Sequence, residues 1–336
     1  MIKKITLLLF ACFLLLSCEK DIVNQDTTHI SNFETFWETM DKNYVFFNEK
    51  RVNWNDIYTT YAPKFEQAIT DEQALALFQE IVTILNDRHV SIGQNDKLAI
   101  FPIEHQTRIQ FWRTYLHHEF ENIVLLEHFH LAQLSNNVMY IRMLPMPEPP
   151  KDIIHVKNLI GQYDTSNGII FDLRDCTGGR FEGFEICDIF FTGEHTVLYN
   201  QFRNGSNHNS FTKPYPVTIK GTGLVSSSTQ LIVLTNINTY SLGNSIVSIL
   251  KDLTNCIQVG EKSGGGAGGT IPVLLGSGWF FNYTICKTLN LSLELTEDGI
   301  DPDIAIEVPT DYWDTTHSET DYDPQLDKAL EILSNK

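Results

Sequence analysis

The fold is decided by the stretch LIVLTNINTYSLGNSIV, residues 231–247, which changes midway from the pattern of a buried strand to that of a helix. Its first residues are apolar without alternation, as in a strand that is covered on both faces. Ser241 stands where the helix would begin, close to backbone amides that have no acceptor within a helix. Those amides and the helix dipole favour the negative charge that develops when a hydroxyl attacks a carbonyl carbon. Ser241 is therefore a candidate nucleophile, although a serine that only caps the helix gives the same pattern.

Outward from this stretch, short β-rich runs alternate with helical patterns. The predicted strands are 123–126, 138–143, 168–173, 231–235, 279–285 and 304–308, and the predicted helices are 151–163, 181–191, 241–253 and 324–334. Alternation of this kind predicts an α/β fold whose central strands are buried on both faces.

A helical domain is predicted for residues 31–90, because apolar residues recur there at helical spacing. The rest of the chain, 91–336, is predicted to form the core domain. Its segment 101–135 is rich in aromatic side chains, which favour either a lid or binding surface or ordinary packing in the core. These aromatic residues are Phe111, Trp112 and Tyr115.

The N-terminus has the order of features found in a bacterial export signal. Two lysines precede an apolar run, and the run ends in the residues LLSC, 15–18, which resemble the lipobox of lipoproteins. We therefore predict a lipoprotein signal peptide over 1–17, a lipidated Cys18 and a polar tether over 18–30. The protein would then be exported and anchored to a bacterial cell membrane, on its periplasmic or outer-surface face. The alternative is a plain signal peptide with an incidental cysteine.

Composition and motif spacing exclude several classes of partner. The 336 residues include 24 Lys and Arg against 42 Asp and Glu, a formal charge of −18, so we expect no nucleic-acid partner. We also expect no cofactor and no metal. Gly264, Gly266 and Gly269 have the spacing of a dinucleotide fingerprint, but a strand pattern follows them instead of a helix, which favours a flexible loop. His128 and His130 lack further ligands at ordinary spacing and are interpreted as exposed residues of an edge strand.

The cysteines of the core domain are too widely scattered for a zinc site. A core of this size does not need disulfides, so we predict buried thiols. These residues are Cys176, Cys187, Cys256 and Cys286.

Four further motifs accompany the 231–247 stretch in order along the chain. They are LNDRHV (85–90), GIIFDLRDCTGG (168–179), VGEKSGGG (259–266) and DGIDPDI (298–304). Together the five motifs resemble the serine peptidase family that includes the carboxyl-terminal processing proteases and the tricorn core protease. The resemblance implies a ClpP/crotonase-like ββα superhelix core, serine endopeptidase activity and a peptide or protein substrate. The interval between 90 and 138 is too short for the PDZ domain that many processing proteases carry.

The resemblance also assigns roles to individual residues. The nucleophile of the family corresponds to Ser241, and its oxyanion site corresponds to the backbone amides of Leu242 and of Gly178 or Gly179. Backbone amides suit that task because they are fixed before the reaction begins.

The general base differs between branches of the family. Members with a Ser-Lys dyad carry a lysine at the position of Gly266, so that dyad is excluded here. Tricorn-like members use the histidine of a D-x-H motif, which corresponds to His89, and imidazole titrates near neutrality as such a base requires. The orienting glutamate of that branch corresponds to Glu297, with Glu294 as the alternative.

Three residues near the implied site depart from the family pattern. Arg88 stands beside the implied base, Cys176 replaces the usual loop asparagine, and Asn244 lies in the helix after the serine. These departures keep a second function open, that of a catalytically degenerate lipoprotein that binds peptides or apolar ligands without cleaving them.

Overall fold

The computed structural model describes residues 28–68, 70–102, 120–134, 137–148, 153–308 and 323–335. The predicted signal peptide, Cys18 and most of the tether lie outside these ranges, as do the three aromatic residues of segment 101–135. The described residues form two compact units. The first consists of those within Met1–Pro102, Gly205–Asn209 and Thr270–Thr284, and the second of those within Ile103–Asn204, Ser210–Gly269 and Ile285–Lys336.

The elements are numbered in chain order. The α-helices are α1 (His29–Asn43), α2 (Trp54–Gln67), α3 (Asp71–Leu85), α4 (Ile153–Ile160), α5 (Leu242–Lys251) and α6 (Pro324–Ser334), and 3₁₀ helices span Phe181–Phe190 and Gly276–Gly278. The strands are β1 (Ser91–Gln94), β2 (Lys97–Ile100), β3 (Phe120–Leu125), β4 (Phe129–Leu134), β5 (Val138–Met143), β6 (Gly168–Asp172), β7 (Thr192–Phe202), β8 (Tyr215–Thr222), β9 (Leu231–Thr235), β10 (Cys256–Gly260), β11 (Thr270–Leu274), β12 (Trp279–Thr284), β13 (Cys286–Leu289) and β14 (Ile304–Ala305). None of the helices in the described ranges has the length and apolar character needed to cross a membrane.

In the first unit, three helices pack beside a four-stranded antiparallel sheet with the order β11-β12-β1-β2. Helix α1 buries Phe33, Phe36 and Met40, as the helical spacing predicts. The ring of Phe36 lies edge-on to Phe281 of β12 with ring centroids 5.1 Å apart, so helix and sheet share one aromatic core. The sequence analysis predicted only β12 of these four strands.

Helix α3 has a capping box at its start and a left-handed residue at its end. The Thr70 hydroxyl accepts a hydrogen bond from the Gln73 amide at 3.2 Å, and the Gln73 side chain accepts one from the Thr70 amide at 3.1 Å. Asn86 has a φ of 48°, and its amide donates to the Val82 carbonyl at 3.3 Å. This ending fixes where the chain leaves the helix and enters the turn of residues 87–90.

The second unit is built on a seven-stranded sheet with the order β14-β10-β9-β6-β5-β4-β3. Strands β5, β6, β9, β10 and β14 run parallel, and β4 and β3 add an antiparallel edge. Ile169 and Phe171 of β6 face the core that is shared with α4 and α5, whereas Ile170 faces the core under α6. Both faces are therefore covered, which explains the unbroken apolar run and confirms the predicted α/β fold.

The sequence analysis predicted that the two histidines near the start of β4 are exposed, and this prediction is wrong. His128 is 8% exposed, and its Nδ1 lies 2.9 Å from the Pro145 carbonyl oxygen. His130 is half-buried in β4, which is not an edge strand because β3 pairs with its outer side. Burial, together with the positive charge of Arg142, lowers the pKa of His130 to about 4. Over the ranges that the structure describes, no cluster of three or more His, Cys, Asp or Glu side chains could hold a metal ion.

Two further regions differ from the sequence patterns. The predicted helix over 181–191 is the 3₁₀ helix Phe181–Phe190. A Cβ on its Gly183 would lie 2.6 Å from the Leu242 side chain, so this segment packs tightly against the start of α5. The long β7–β8 hairpin, which pairs with β13, was not predicted.

The four cysteines of the core domain are thiols that form no disulfide, as predicted. Cys176, Cys187 and Cys286 are buried, while Cys256 is only partly buried.

Candidate active site

Ser241 lies at the junction between β9 and α5 in a strained backbone conformation. Its φ of 54° and ψ of −111° are values that residues with a side chain rarely adopt. The hydroxyl makes no capping hydrogen bond to α5, so the interpretation of Ser241 as a simple helix cap is wrong. Strain of this kind costs about 1–3 kcal/mol and persists where the surrounding structure enforces it, commonly at active sites.

Hydrogen bonds at Ser241 and at the two residues before it enforce this conformation. The Ser241 amide donates to the Gly265 carbonyl at 2.9 Å, and the Tyr240 amide donates to the Cys176 carbonyl at 3.1 Å. In the preceding turn, the Thr239 hydroxyl donates to a main-chain carbonyl just after β6 at 2.9 Å. The serine is thus held between two loops of the second unit.

The loop after β6 brings Gly178 and Gly179 against Ser241. Both glycines have positive φ, 126° and 149°. A Cβ on Gly178 would lie 3.0 Å from the Ser241 Cβ and 3.4 Å from its Oγ, and a Cβ on Gly179 would lie 2.3 Å from the Met146 carbonyl oxygen. Met146 also donates its amide to the Gly178 carbonyl at 3.0 Å and accepts from the Arg180 amide at 2.8 Å. Only glycine therefore fits at positions 178 and 179.

Two main-chain amides belong to residues beside the serine: Leu242 follows it in the chain, and Gly179 follows Gly178, which packs against it. The Leu242 amide belongs to the first turn of α5, where a helix offers no acceptor. In the part of the chain that the structure describes, neither the Leu242 amide nor the Gly179 amide donates a hydrogen bond to another protein group. Two preorganised amides of this kind can stabilise an oxyanion.

Cys176, which stands where the family has asparagine, is fully buried beside α5. A Cβ on Gly243 would lie 2.5 Å from the Cys176 carbonyl oxygen and 3.3 Å from its Sγ. Burial raises the pKa of the thiol to about 12, and the Gly178 amide offsets this only in part. The thiol is therefore neutral at pH 7 and serves as a small packing group against the helix.

Glu297 is buried, whereas Glu294 is exposed. The Glu297 Oε2 accepts a hydrogen bond from the Ala267 amide at 2.7 Å, and the Glu297 carbonyl accepts one from the Gly266 amide at 2.9 Å. The same glycine loop holds the amide of the strained serine, so it connects that serine to Glu297. Glu294 instead closes a surface turn with Asn290, whose side-chain amide donates to it at 3.1 Å.

Asn244 ties α5 to the segment that carries Glu297. Its Nδ2 donates to the Thr296 carbonyl at 3.0 Å, and its Oδ1 accepts from the Ser263 hydroxyl at 2.7 Å. The same Ser263 oxygen accepts from the Ile300 amide at 2.7 Å. Asn244 is fully buried, so its departure from the family pattern serves the packing of these segments.

His89 belongs to the first unit, whereas Ser241 and its neighbours described above belong to the second. It lies in the turn between α3 and β1, where its amide donates to the Asp87 carboxylate at 2.8 Å. Burial lowers the pKa of His89 below its usual value, the negative charge of Asp87 raises it, and the charges of Arg88 and Lys50 lower it. The imidazole is consequently neutral at neutral pH.

The position that carries lysine in Ser-Lys members has no room for a side chain. Gly266 has a φ of 80°, and a Cβ there would lie 2.4 Å from the Tyr240 ring. Lys262, in the same motif, is half-exposed and pairs with Asp301 at 3.6 Å. The glycine run is therefore closely packed around Gly266.

A buried ion-pair network that the sequence analysis did not identify anchors the loop after β6, residues 173–180. Arg174 donates to Asp172 at 2.7 Å and to Asp323, the N-cap residue of α6, at 2.8 Å. The Tyr140 hydroxyl donates to the same Asp172 carboxylate at 2.6 Å. The D-L-R sequence is a signal for the first pair, but Asp323 is 149 residues from Arg174, and nothing in the local sequence indicates that contact.

Comparison with protein families now gives the class of the protein. The model of Peptidase family S41 matches residues 137–306, which is half of the chain, and the model of the Tricorn protease C1 domain matches residues 26–83. Together with the fold, these matches define a serine peptidase. The protein belongs to peptidase family S41, which confirms the resemblance seen in the sequence.

Solved structures share the fold over most of this chain. A protein from Parabacteroides merdae is 24% identical with a TM-score of 0.77, over 92% of this chain and 97% of that one. A lipoprotein from Streptococcus agalactiae is 14% identical with a TM-score of 0.60, over 92% of this chain and 97% of that one. The tricorn protease is 15% identical with a TM-score of 0.58, and the match covers 91% of this chain but 37% of that one.

Proposed function

We propose that this S41 peptidase is an endopeptidase that hydrolyses peptide bonds with Ser241 as nucleophile, His89 as general base and Glu297 as the residue that orients the base. The observation that carries the proposal is the strained serine, whose hydroxyl does not cap its helix and which packs against Gly178. A serine held in this way at a helix N-terminus is positioned for attack and gains nothing structurally from the strain.

The reaction proceeds through an acyl-enzyme. His89 takes the Ser241 Oγ proton as the oxygen attacks the carbonyl carbon of the substrate. The negative charge that forms on the carbonyl oxygen receives hydrogen bonds from the Leu242 amide and from the Gly178 or Gly179 amide. When the peptide C–N bond breaks, the imidazolium gives its proton to the leaving amine. Water then attacks the carbonyl carbon of the acyl-enzyme while His89 takes its proton, and the imidazolium returns a proton to the Ser241 Oγ as the bond between that oxygen and the acyl carbon breaks.

The environment of each group suits its role. His89 is neutral at neutral pH because burial lowers its pKa, so it can accept a proton. Glu297 is buried and fixed by the Ala267 amide, as an orienting carboxylate must be, whereas the exposed Glu294 is less suited. Lys262 is paired at the surface with Asp301 and is not proposed as the base.

The alternative of a degenerate binding protein is not favoured by the departures from the family pattern. Cys176 and Asn244 pack and bond within the second unit in ways that leave the serine and the oxyanion amides in place. Arg88 helps to keep the imidazole neutral, because its charge lowers the pKa of His89. Each departure is therefore compatible with catalysis.

We further propose that the peptidase acts at a membrane surface, held there by lipid on Cys18. The lipobox-like residues 15–18 and the polar residues that follow them support this location. The S. agalactiae protein with a similar fold is itself named a lipoprotein. Substrates would then be peptides or proteins that reach the tethered domain.

A fluorophosphonate probe and a mixed peptide library test the enzymatic proposal. The purified protein should be labelled and should cleave peptides, Ser241→Ala should do neither, and Ser227→Ala, which changes an exposed serine of the same unit, should behave as wild type. Folded wild-type protein that is neither labelled nor active would support the binding-protein alternative.

A further inference from the structure

Asp87 shapes the turn that carries His89. Its Oδ1 accepts a hydrogen bond from the His89 amide at 2.8 Å, and its carbonyl accepts one from the Val90 amide at 3.1 Å. A carboxylate that bonds the main chain two residues later forms an Asx turn. The two bonds fix the main chain from 87 to 90 between the end of α3 and the start of β1.

The other carboxylate oxygen of Asp87 is held from two distant parts of the first unit. Tyr44, which follows α1, donates its hydroxyl to Oδ2 at 2.9 Å, and Thr284, at the end of β12, donates at 3.1 Å. All three side chains are fully buried. Hydroxyl donors satisfy the oxygen and leave the negative charge of the carboxylate in place.

We infer that Asp87 is a positioning residue for the general base, an inference that rests on the proposed function. Its carboxylate fixes the turn that presents His89 and holds a negative charge beside the imidazole. The hydroxyls of Tyr44 and Thr284 in turn fix that carboxylate. Helix α1, the turn after α3 and strand β12 thus meet at one buried group.

The charge matters because the imidazole becomes positive during the reaction. When His89 takes the serine proton, the imidazolium forms at a partly buried position where the charges of Arg88 and Lys50 oppose it. Among the charges that act on the imidazole, Asp87 supplies a negative one. A fixed negative charge stabilises the imidazolium more than the neutral ring, so it lowers the barrier to proton transfer.

The test compares Asp87→Asn with wild type by titrating His89 directly. Asparagine keeps an oxygen for the His89 amide and removes the charge. We expect the pKa of His89, followed by NMR and assigned with a His89→Gln variant, to move down, because Asp87 raises it in the wild type. The acid limb of kcat/KM should move to lower pH with it. At the plateau, kcat should fall on the order of tenfold with little change in KM.

Asp96→Asn is the matched control, since it makes the same change at an exposed aspartate of the first unit, where solvent and salt screen the charge. It should leave both the titration and kcat as in wild type. An Asp87→Asn variant that folds and keeps the wild-type titration and plateau overturns the inference, because a purely structural aspartate would give that result.

A second variant decides the matter if Asp87→Asn does not fold. Tyr44→Phe removes one donor from the carboxylate and keeps the ring in the core. We expect kcat to fall severalfold at constant KM, and a wild-type kcat would overturn the inference. Failure of the proposed function is distinguishable, because absence of fluorophosphonate labelling at Ser241 would refute that function, whereas the NMR titration of His89 needs no activity.

Discussion

Among single residues, Ser241 and Gly178 each have a conformation or contact that depends on the other's position. The serine adopts a φ that would suit glycine, and the glycine has no side chain at a point where one would touch the serine. The strain at Ser241 is held by main-chain bonds, so the alanine variant retains the same constraint and should fold as well as wild type. Loss of activity on substitution would therefore report the missing hydroxyl.

The first prediction concerns the base. His89→Ala should lower kcat/KM by about the same factor as Ser241→Ala, about 10³-fold or more, because members of one proton-transfer unit are strongly non-additive. Lys262→Ala removes a half-exposed side chain and should cost severalfold at most. The measurement is kcat/KM on one cleaved peptide. Loss of turnover in Lys262→Ala with activity retained in His89→Ala would refute the assignment.

The second prediction concerns Gly178, in the loop after β6. Gly178→Ala should slow fluorophosphonate labelling of Ser241 by about tenfold or more, since its Cβ would lie 3.0 Å from the serine Cβ. Gly193→Ala is the matched control, because Gly193 also has a positive φ, 81°, but a Cβ there would meet no atom within 4 Å. Both variants carry backbone strain, and only the first crowds Ser241. Equal labelling rates in the two variants would contradict the prediction.

At the scale of elements, the Arg174 network joins the loop after β6 to the start of α6. Burial alone would raise the pKa of Asp172, but the guanidinium of Arg174 lowers it to about 2. A carboxylate with a lowered pKa stabilises the folded state above its unfolded pKa, and that contribution is lost as pH falls through the folded value. The network therefore makes the stability of the fold around the loop after β6 depend on pH.

The third prediction is the pH dependence that follows. The free energy of unfolding should fall as pH drops from about 4 to about 2, the interval between the usual pKa of an aspartate and that of Asp172 in the fold. Denaturant unfolding at a series of pH values measures this change. The same series on Asp172→Asn should show a weaker slope in that interval, and an equal slope would assign the acid sensitivity to other carboxylates.

The fourth prediction concerns the end of the network on α6. Asp323→Asn keeps a helix cap and removes one of the two charges that face Arg174, so it should cost about 2 kcal/mol of unfolding free energy. Glu331→Gln, on the exposed face of the same helix, should cost less than about 0.5 kcal/mol. If Asp323→Asn lost as little unfolding free energy as is expected for Glu331→Gln, the buried pair would contribute little to stability.

The sequence predicts an element well when the residues that determine it are close together in the chain. Helix α6 and strand β9 have the bounds that were predicted, 324–334 and 231–235, because cap residues and unbroken apolar runs are local. Strand β7 was missed because exposed and half-buried residues follow each other without a clear period. Gly178 and Gly179 were recognisable as part of a motif, whereas the atoms that exclude a Cβ at these positions belong to other segments.

The contacts around His89, the proposed base, likewise include residues that are distant in sequence. The D-x-H spacing points to His89 as a site residue. It also contains the signal for the turn, since Asp87 accepts a hydrogen bond from the main-chain amide two residues later. The donors to its other oxygen, Tyr44 and Thr284, lie 43 and 197 residues away in sequence, and no pattern connects them. Tertiary folding alone brings those hydroxyls to the carboxylate.

At the scale of the whole molecule, the net charge bears on how the protein could be held at a membrane. A formal charge of −18 disfavours binding to an anionic lipid surface through charge, so the attachment proposed above would depend on lipid at Cys18.

The fifth prediction is that Cys18→Ala either releases the protein from membranes or blocks its processing. Membrane fractionation and metabolic labelling with a fatty-acid analogue measure the two outcomes. Cys256→Ala, in the core domain, should leave both unchanged. Processed Cys18→Ala protein that stays with the membrane would refute the lipoprotein assignment.

The first unit is assembled from stretches that are far apart in the chain, and this affects when the protein can work. Strand β1 pairs with β12, and the turn that carries His89 receives a hydrogen bond from Thr284, the last residue of β12. A growing chain cannot complete that turn until residue 284 has been synthesised, by which point most of the polypeptide has emerged from the ribosome. We therefore expect nascent chains and fragments that end before β12 to have no peptidase activity. The order of translation would then delay that activity until most of the chain has been made.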